Sequence, residues 1–300
     1  MLAVLLCFSA TACYAAANVF DARISAQILK RLPTVLFYAG LAGFFTLTLS
    51  VLFFGTPEKL PADLLPYAFA YGFLNCFYLV PYYAALKVTD TSIVSALFSM
   101  GEILVPVLAF FLLGDKLSAS QYAGFFLVIF ASVALNVKDI RRFKINAGLW
   151  IMLISAAMNS VAAVFYKKLL NGADTATALF WTSAITLACS SSMILIPAFA
   201  KDIIARTKDV KIHWKAFTGM YVSSVLAYVL KTFALTMMSV VVYRALSASQ
   251  PMFVLGYGVC ASLFFHKKLQ ERTSARESVK KIVCFALIIA GIVLTLHAPS

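Results

Sequence analysis

Residues 33–54 read PTVLFYAGLAGFFTLTLSVLFF and contain no charged side chain. About 20 apolar residues in a row suffice to cross the hydrocarbon core of a bilayer as a helix. Nine further stretches of similar character follow one another along the 300-residue chain. The ten predicted spans are residues 1–20, 33–54, 64–86, 92–113, 120–137, 148–166, 176–199, 216–238, 245–265 and 281–297. This pattern predicts a polytopic membrane protein.

The composition agrees with that prediction. Hydrophobic residues make up 62% of the chain and charged residues 12%, whereas soluble domains are about half apolar and a quarter charged. Lipid offers no hydrogen-bond partners, so each span must satisfy its own backbone as a helix; barrel strands would be shorter and would alternate polar with apolar residues. The predicted fold class is an all-α integral membrane protein with ten transmembrane helices. The links between spans are too short to hold a separate domain, so the protein acts inside or across the membrane.

The first span has a second interpretation, because it ends in Ala15, Ala16 and Ala17 and could be a secretory signal. It lacks the positively charged leader that such signals carry before their apolar run. It also has a counterpart in the second half of the chain. We therefore expect a transmembrane helix at this position.

That counterpart belongs to a weak internal repeat. A shift of 146 residues places Ser9 on Ser155 and Ala16 on Ala162, and each match precedes aromatic and charged residues. The repeat predicts two five-helix units, residues 1–146 and residues 147–300. An odd number of spans in each unit inserts the two halves upside down relative to each other, which is the plan of many secondary transporters.

Three stretches of the first unit resemble a known family. They are AALKVTDTSIV at 84–94, GDKL at 114–117 and Gly124 in the following span. Together they are similar to the repeat of the drug/metabolite transporter (DMT) superfamily, EamA type, and the resemblance extends over both halves of the chain. One departure is that Glu102 replaces a proline which such repeats often carry, with Pro106 one turn later.

The resemblance implies a ten-helix transporter with a central cavity lined by spans one, three, four, six, eight and nine. It implies a small-molecule substrate and a multi-pass protein surrounded by membrane lipid, in the bacterial inner (plasma) membrane. Both termini are expected on the same side, and the family arrangement places them inside. The superfamily transports many kinds of molecule, so the resemblance does not give the substrate.

The charge distribution predicts the opposite orientation. A net charge of +13 would suggest a nucleic-acid partner in a soluble protein, but here the basic residues lie in the links, so we expect no nucleic acid. Basic residues collect in cytoplasmic loops. The odd-numbered links hold Arg23, Lys30, Arg31, Lys87, Lys138, Arg141, Arg142, Lys144, Lys201, Arg206, Lys208, Lys211, Lys215, Lys267, Lys268, Arg272, Arg276, Lys280 and Lys281. The even-numbered links hold Lys59, Lys116, Lys167 and Lys168. This asymmetry predicts that both termini lie outside.

Other functional motifs are missing from the sequence. It has no Gly-x-x-x-x-Gly-Lys-Ser/Thr loop for a nucleotide phosphate, and its cysteines and histidines are too scattered for a metal site. No carboxylate, histidine and cysteine cluster lies at a membrane face, as a membrane enzyme would need. We therefore expect no metal, no cofactor, no direct use of ATP and no enzymatic activity. Ten spans with minimal links also disfavour a receptor.

Two charges fall inside predicted spans, Glu102 in the fourth and Lys231 in the eighth. Each costs on the order of 3 kcal/mol at mid-bilayer and needs compensation. One interpretation is a structural ion pair between the two residues. The other is that both face a wet central cavity, where Glu102 exchanges a proton or binds a cationic group and Lys231 binds a carboxylate or phosphate. Arg244, near the start of the ninth span, would add a second cationic contact or mark the membrane interface, and the interface is favoured.

Polar side chains at helical spacing complete the candidate site. Its predicted residues for substrate binding or coupling are Glu102, Lys231, Asn75, Tyr78, Asn159, Gln250, Asn18 and Tyr228. They suit a zwitterion or a small anion, such as an amino acid, moved by alternating access and coupled to a proton or driven by its own gradient. The alternative is a flippase for a lipid-linked sugar phosphate, with Lys231 and Arg244 on the head group.

Overall fold

The computed structural model describes residues 1–29, 31–88, 97, 99–136, 147–254, 256–257 and 275–296. The regular structure in these ranges is helical. The α-helices are α1 (Leu2–Arg23), α2 (Leu32–Gly40), α3 (Ala42–Phe54), α4 (Leu65–Phe77), α5 (Leu79–Val88), α6 (Leu104–Leu113), α7 (Ala119–Asn136), α8 (Ala147–Leu170), α9 (Thr175–Ser191), α10 (Pro197–Ala205), α11 (Thr207–Ile212), α12 (Trp214–Met237), α13 (Val240–Ser247) and α14 (Ala275–Leu296).

The length and composition of these helices confirm an all-α integral membrane protein. Within the described ranges, six helical stretches are long and apolar enough to span a bilayer: Leu2–Asp21, Leu32–Phe54, Gly148–Leu170, Thr175–Leu195, Trp214–Met237 and Val279–Leu296. Two shorter apolar helices, Ser99–Leu113 and Ala119–Leu135, lie within the predicted fourth and fifth spans. The third predicted span contains α4 and α5. Residues Thr89 to Val94 of the family-like stretch lie outside the described residues.

Two predicted boundaries are wrong. The seventh span was expected to reach residue 199, but it ends at Leu195 and Pro197 begins α10. Proline is favoured in the first turn of a helix, where its missing N–H costs nothing. The ninth span was expected to begin at 245, but α13 begins at Val240 because Ser239 caps it: the Ser239 hydroxyl accepts the Val242 N–H at 3.2 Å.

Spans from the two halves of the chain pack against each other. Among the main pairs are α1 with α12, α4 and α5 with α8, α3 with α9, and α7 with α14. In the predicted repeat, the first span (α1) corresponds to the sixth (α8) and the third span (α4 and α5) to the eighth (α12). A two-fold axis would then exchange the α1–α12 pair with the pairing of α4 and α5 on α8. The same axis would leave the α3–α9 and α7–α14 pairs unchanged. The division into repeats at residue 146 stays a prediction.

Two of the spans are interrupted by proline near the middle of the bundle. Pro81 has no N–H to bond the Phe77 carbonyl, and α4 ends at Phe77. Pro106 likewise cannot bond the Glu102 carbonyl, which accepts the Val105 N–H at 2.9 Å instead. The fourth span therefore turns at Glu102 before α6 begins. These breaks put polar backbone in the centre of the protein.

Helix α8 packs closely on both interrupted spans. A Cβ atom at Gly101 would collide with Ala156, so the two helices approach to a distance that only glycine allows. The Ser160 hydroxyl donates to the Gly101 carbonyl at 2.9 Å, and the Ser155 hydroxyl donates to the Tyr78 carbonyl at 2.7 Å. These contacts fix the position of Glu102 beside α8.

Candidate functional site

A buried ion pair joins three spans at the break in the fourth span. Arg244 Nη1 donates to Glu102 Oε1 at 2.7 Å, and Arg244 Nη2 donates to the Asn159 carbonyl at 3.2 Å. The two side chains are 11% and 9% exposed. Glu102 Oε2 and Arg244 Nε are buried and have no hydrogen-bond partner among the described residues. The Arg244 guanidinium, which α13 carries, thus neutralises Glu102 and also bonds the backbone of α8.

Two interpretations of the sequence are corrected by this pair. Arg244 does not mark the membrane interface: it lies inside the bundle because α13 begins earlier than expected. The structural pair suggested for Glu102 and Lys231 is also wrong, since Glu102 pairs with Arg244, and among the described residues no carboxylate oxygen lies within 4 Å of Lys231 Nζ. Glu102 still lies within electrostatic range of Lys231.

Lys231, on α12, lies instead in a cage of three tyrosine rings. Its Nζ is 5.4 Å from the ring centroid of Tyr71, 5.2 Å from that of Tyr166 and 5.7 Å from that of Tyr228. It also donates to the Tyr71 hydroxyl at 3.4 Å. Aromatic faces attract an ammonium electrostatically, and more strongly when both groups are desolvated. The side chain is 8% exposed, so the tyrosines compensate part of the cost of burying Lys231.

Two threonines hold the cage in place. The Thr232 hydroxyl donates to the Tyr228 carbonyl at 2.8 Å, so the 2.6 Å contact between Tyr166 and Thr232 has the tyrosine as donor. The Thr182 hydroxyl donates to the Ala178 carbonyl, so the Tyr228 hydroxyl donates to Thr182 at 2.7 Å. Both phenols therefore donate to threonines. The rings of Tyr71 and Tyr166 stack at 4.4 Å.

A cavity of about 190 Å³ adjoins this cage and shares Tyr228 with it. Its lining includes the polar residues Tyr14, Asn18, Asp21, Thr46, Asn75, Tyr78, Ser183, Thr186, Ser224 and Tyr228. These residues come from the later part of α1, from α3, from the end of α4 and Tyr78 after it, from α9, and from the first two-thirds of α12. The cavity therefore occupies the half of the bundle nearer the odd-numbered links.

The opposite half of the bundle is closed. Buried apolar side chains such as Leu64, Leu169 and Leu235 fill it. Lys167, at the end of α8, donates to the Leu235 carbonyl near the end of α12 at 2.5 Å. In the loop after α6, burial raises the pKa of the Asp115 carboxyl, and the Lys167 ammonium opposes that rise.

The structure divides the predicted site residues between these features. Asn18, Asn75, Tyr78 and Tyr228 line the cavity, while Glu102 and Lys231 belong to the buried charges beyond it. Asn159 contributes its backbone carbonyl to Arg244. Gln250 is half-buried in the helical segment after α13 and does not line the cavity.

Sequence analysis missed three residues of the site. Tyr71 and Tyr166 lie at helical spacing from the predicted residues Asn75 and Asn159, but such spacing gives a helix face and not the point where several faces meet. Asp21 follows Asn18 by three residues and Tyr14 by seven, a spacing that places all three on one face of α1. The predicted first span ends at residue 20, so Asp21 fell outside it. Within the described ranges, no group of three or more His, Cys, Asp or Glu side chains is placed so that it could bind a metal ion.

The helices, the buried charges and the polar cavity are those of a multi-pass membrane protein with a polar space inside the bundle. Residues 1–137 match the model of the EamA-like transporter family, which confirms the resemblance found in the sequence. This match covers a little under half of the chain and is typical of membrane transporters of the drug/metabolite type. One solved structure, described as a crystal structure of a protein, has a TM-score of 0.70 at 16% identity, with 98% of this chain and 96% of that chain covered. That likeness concerns the fold. No curated protein matches the sequence.

Proposed function

We propose that this protein is a secondary transporter that moves a small polar metabolite, a zwitterion or a small anion such as an amino acid, by alternating access. The observation that carries the proposal is Lys231. It is a buried cation next to a polar cavity, and no described carboxylate pairs with it.

The charges of the site favour an anionic group on the substrate. Glu102 and Arg244 neutralise each other at 2.7 Å, so Lys231 leaves this cluster with an excess positive charge. Electrostatic attraction is stronger in a protein interior than in water. A carboxylate or phosphate entering the cavity would therefore gain from approaching Lys231. A flippase for a lipid-linked sugar phosphate would need both Lys231 and Arg244 to bind the head group. The Arg244 guanidinium is instead paired with Glu102.

Alternating access is supported by the asymmetry of the bundle. One half contains the cavity, whereas the other is filled by apolar side chains and the Lys167 contact. The broken third and fourth spans put polar backbone next to the site, as discontinuous helices do in other transporters. Protonation of Glu102 would release Arg244 and couple the substrate to a proton.

Uptake by proteoliposomes against a panel of metabolites tests this proposal. We expect at least one zwitterion or small anion to exchange across the membrane, with a rate that changes when a pH gradient is imposed. Liposomes without protein provide the background. Transport restricted to lipophilic cations, or exchange of none of the panel, would contradict the proposed function.

The orientation is tested separately. The link from Lys201 to Lys215 contains α10 and α11, whose Lys208, Lys211 and Ile212 are not buried. Because basic links stay in the cytoplasm, a reporter inserted in this link should give a cytoplasmic signal and one fused after Ser300 an extracytoplasmic signal. A fusion between Lys59 and Asp63 serves as the matched even-link control. The reverse set of signals would support the arrangement usual in the family.

A further inference from the structure

Asp21 places a carboxylate in the cavity. It is partly exposed and shares the lining with Tyr14 and Asn18 on the same face of α1. Among the described residues no cation lies within 4 Å of it. Glu102, the carboxylate favoured from the sequence, is paired and does not line the cavity. Asp21 is therefore the acidic group that an entering substrate meets.

Tyrosine side chains lie near Asp21, and one of them, Tyr78, shares the cavity lining with it. Tyr78, Tyr82, Tyr83 and Tyr221 all lie within electrostatic range of Asp21. Three of them come from the third span and one from α12. A carboxylate in a polar cavity can bind a protonated amine, because the ammonium donates charge-assisted hydrogen bonds to it.

Asp21 and Lys231 lie at different ends of the site. Helices α1 and α12 run antiparallel, because a Cβ at Gly219 would meet the Phe20 ring while the Cys7 thiol donates to the Tyr243 carbonyl just beyond α12. Gly219 and Lys231 are about 18 Å apart along the helix axis. Both charged side chains lean toward the N-terminus of their own helix and hence toward each other. The two charges are thus separated by on the order of 10 Å.

We propose that Asp21 binds the ammonium group of the substrate while Lys231 attracts its acidic group. This inference rests on the proposed function, since it assigns a substrate class to the same cavity. The ligand is then a zwitterion whose amine and acid lie at the two ends of an extended chain, such as an ω-amino acid or a short peptide. A simple anion would leave Asp21 unpaired.

The test is thermal unfolding of the purified full-length protein in detergent, monitored by tryptophan fluorescence. Three probes with the same alkyl chain and different charged ends are compared. ε-Aminocaproate carries both charges, caproate only the acid and pentylamine only the amine. We expect ε-aminocaproate to raise the Tm most, and γ-aminobutyrate, which is shorter, to raise it less. Asp21→Asn should weaken ε-aminocaproate binding about tenfold, which corresponds to about 1.4 kcal/mol, and leave caproate unchanged.

Two further variants separate binding from folding. Asp21→Glu keeps the charge and should retain the preference for ε-aminocaproate over caproate, and Asp63→Asn removes an exposed carboxylate and should change nothing. Equal shifts with ε-aminocaproate and caproate, no shift with any probe, or an unaltered preference in Asp21→Asn would overturn the inference. Proteoliposomes that carry anions regardless of Asp21 would leave the proposed function intact. Asp21-dependent binding without transport of any probe would overturn only that function.

Discussion

Arg244→Met is expected to destabilise the folded protein by about 3 to 5 kcal/mol, because it leaves the Glu102 carboxylate buried without its counter-charge. Glu102→Gln should have a similar effect, since the guanidinium is 11% exposed and has no other carboxylate within 4 Å among the described residues. The measurement is the free energy of unfolding in detergent. A double variant, Glu102→Gln with Arg244→Met, should recover most of the lost stability, because uncharged side chains of similar size fill the same space.

An exposed ion pair provides the control for this experiment. Arg206 and Asp209 are 3.1 Å apart, with side chains 47% and 35% exposed. Surface pairs contribute less than about 1 kcal/mol, so Arg206→Met should leave stability nearly unchanged. If Arg244→Met were as mild as this control, or if the double variant were no more stable than the weaker single variant, the pair would have no structural role.

The positions of the spans were predictable because the bilayer imposes them. A helix that crosses lipid must be long, apolar and internally hydrogen-bonded, and these requirements are visible in one sequence. The ends of the spans depend on local contacts that hydropathy does not contain. The cap at Ser239 moved the start of α13 by five residues from the predicted position at 245, and Pro197 ended the seventh span early.

The partners within the site were less predictable, because they depend on how distant helices pack. Arg244 is 142 residues from Glu102 in sequence. With the predicted start of the ninth span, Arg244 fell outside it, so an interfacial position followed. Helical spacing correctly placed Asn18 and Tyr228 on polar faces, but it did not show that Tyr71, Tyr166 and Tyr228 enclose one lysine.

The different fates of the two predicted charges also have a physical cause. Glu102 lies where Pro106 interrupts the helix, and the resulting turn lets it meet an arginine from another span. Lys231 lies in an uninterrupted helix and meets two aromatic rings from neighbouring helices and the Tyr228 ring of its own helix. A charge compensated by rings keeps more of its attraction for an added anion than one neutralised by a carboxylate. This difference makes Lys231 the residue whose removal should affect transport most.

Lys231→Met is expected to lower the initial rate of substrate uptake by about a hundredfold, while the protein still folds and inserts. Losing one partner of a buried charge pair costs about 2 to 5 kcal/mol of binding free energy, and here the lost partner is the ammonium that attracts the substrate anion. Folding should not suffer, because methionine fills the tyrosine cage without the cost of burying a charge. Uptake into proteoliposomes and unfolding in detergent, measured on the same preparation, give both quantities.

Lys167→Met is the matched control, because Lys167 is also a buried lysine but bonds the Leu235 carbonyl away from the cavity. It should lower stability, since that carbonyl loses its partner, and it should leave substrate affinity unchanged. Lys231→Arg keeps the positive charge and should retain part of the uptake, although its larger planar group fits the cage less well. Full uptake by a folded Lys231→Met protein would show that Lys231 does not bind the substrate, and the excess positive charge would then have to be assigned to the stability of the bundle.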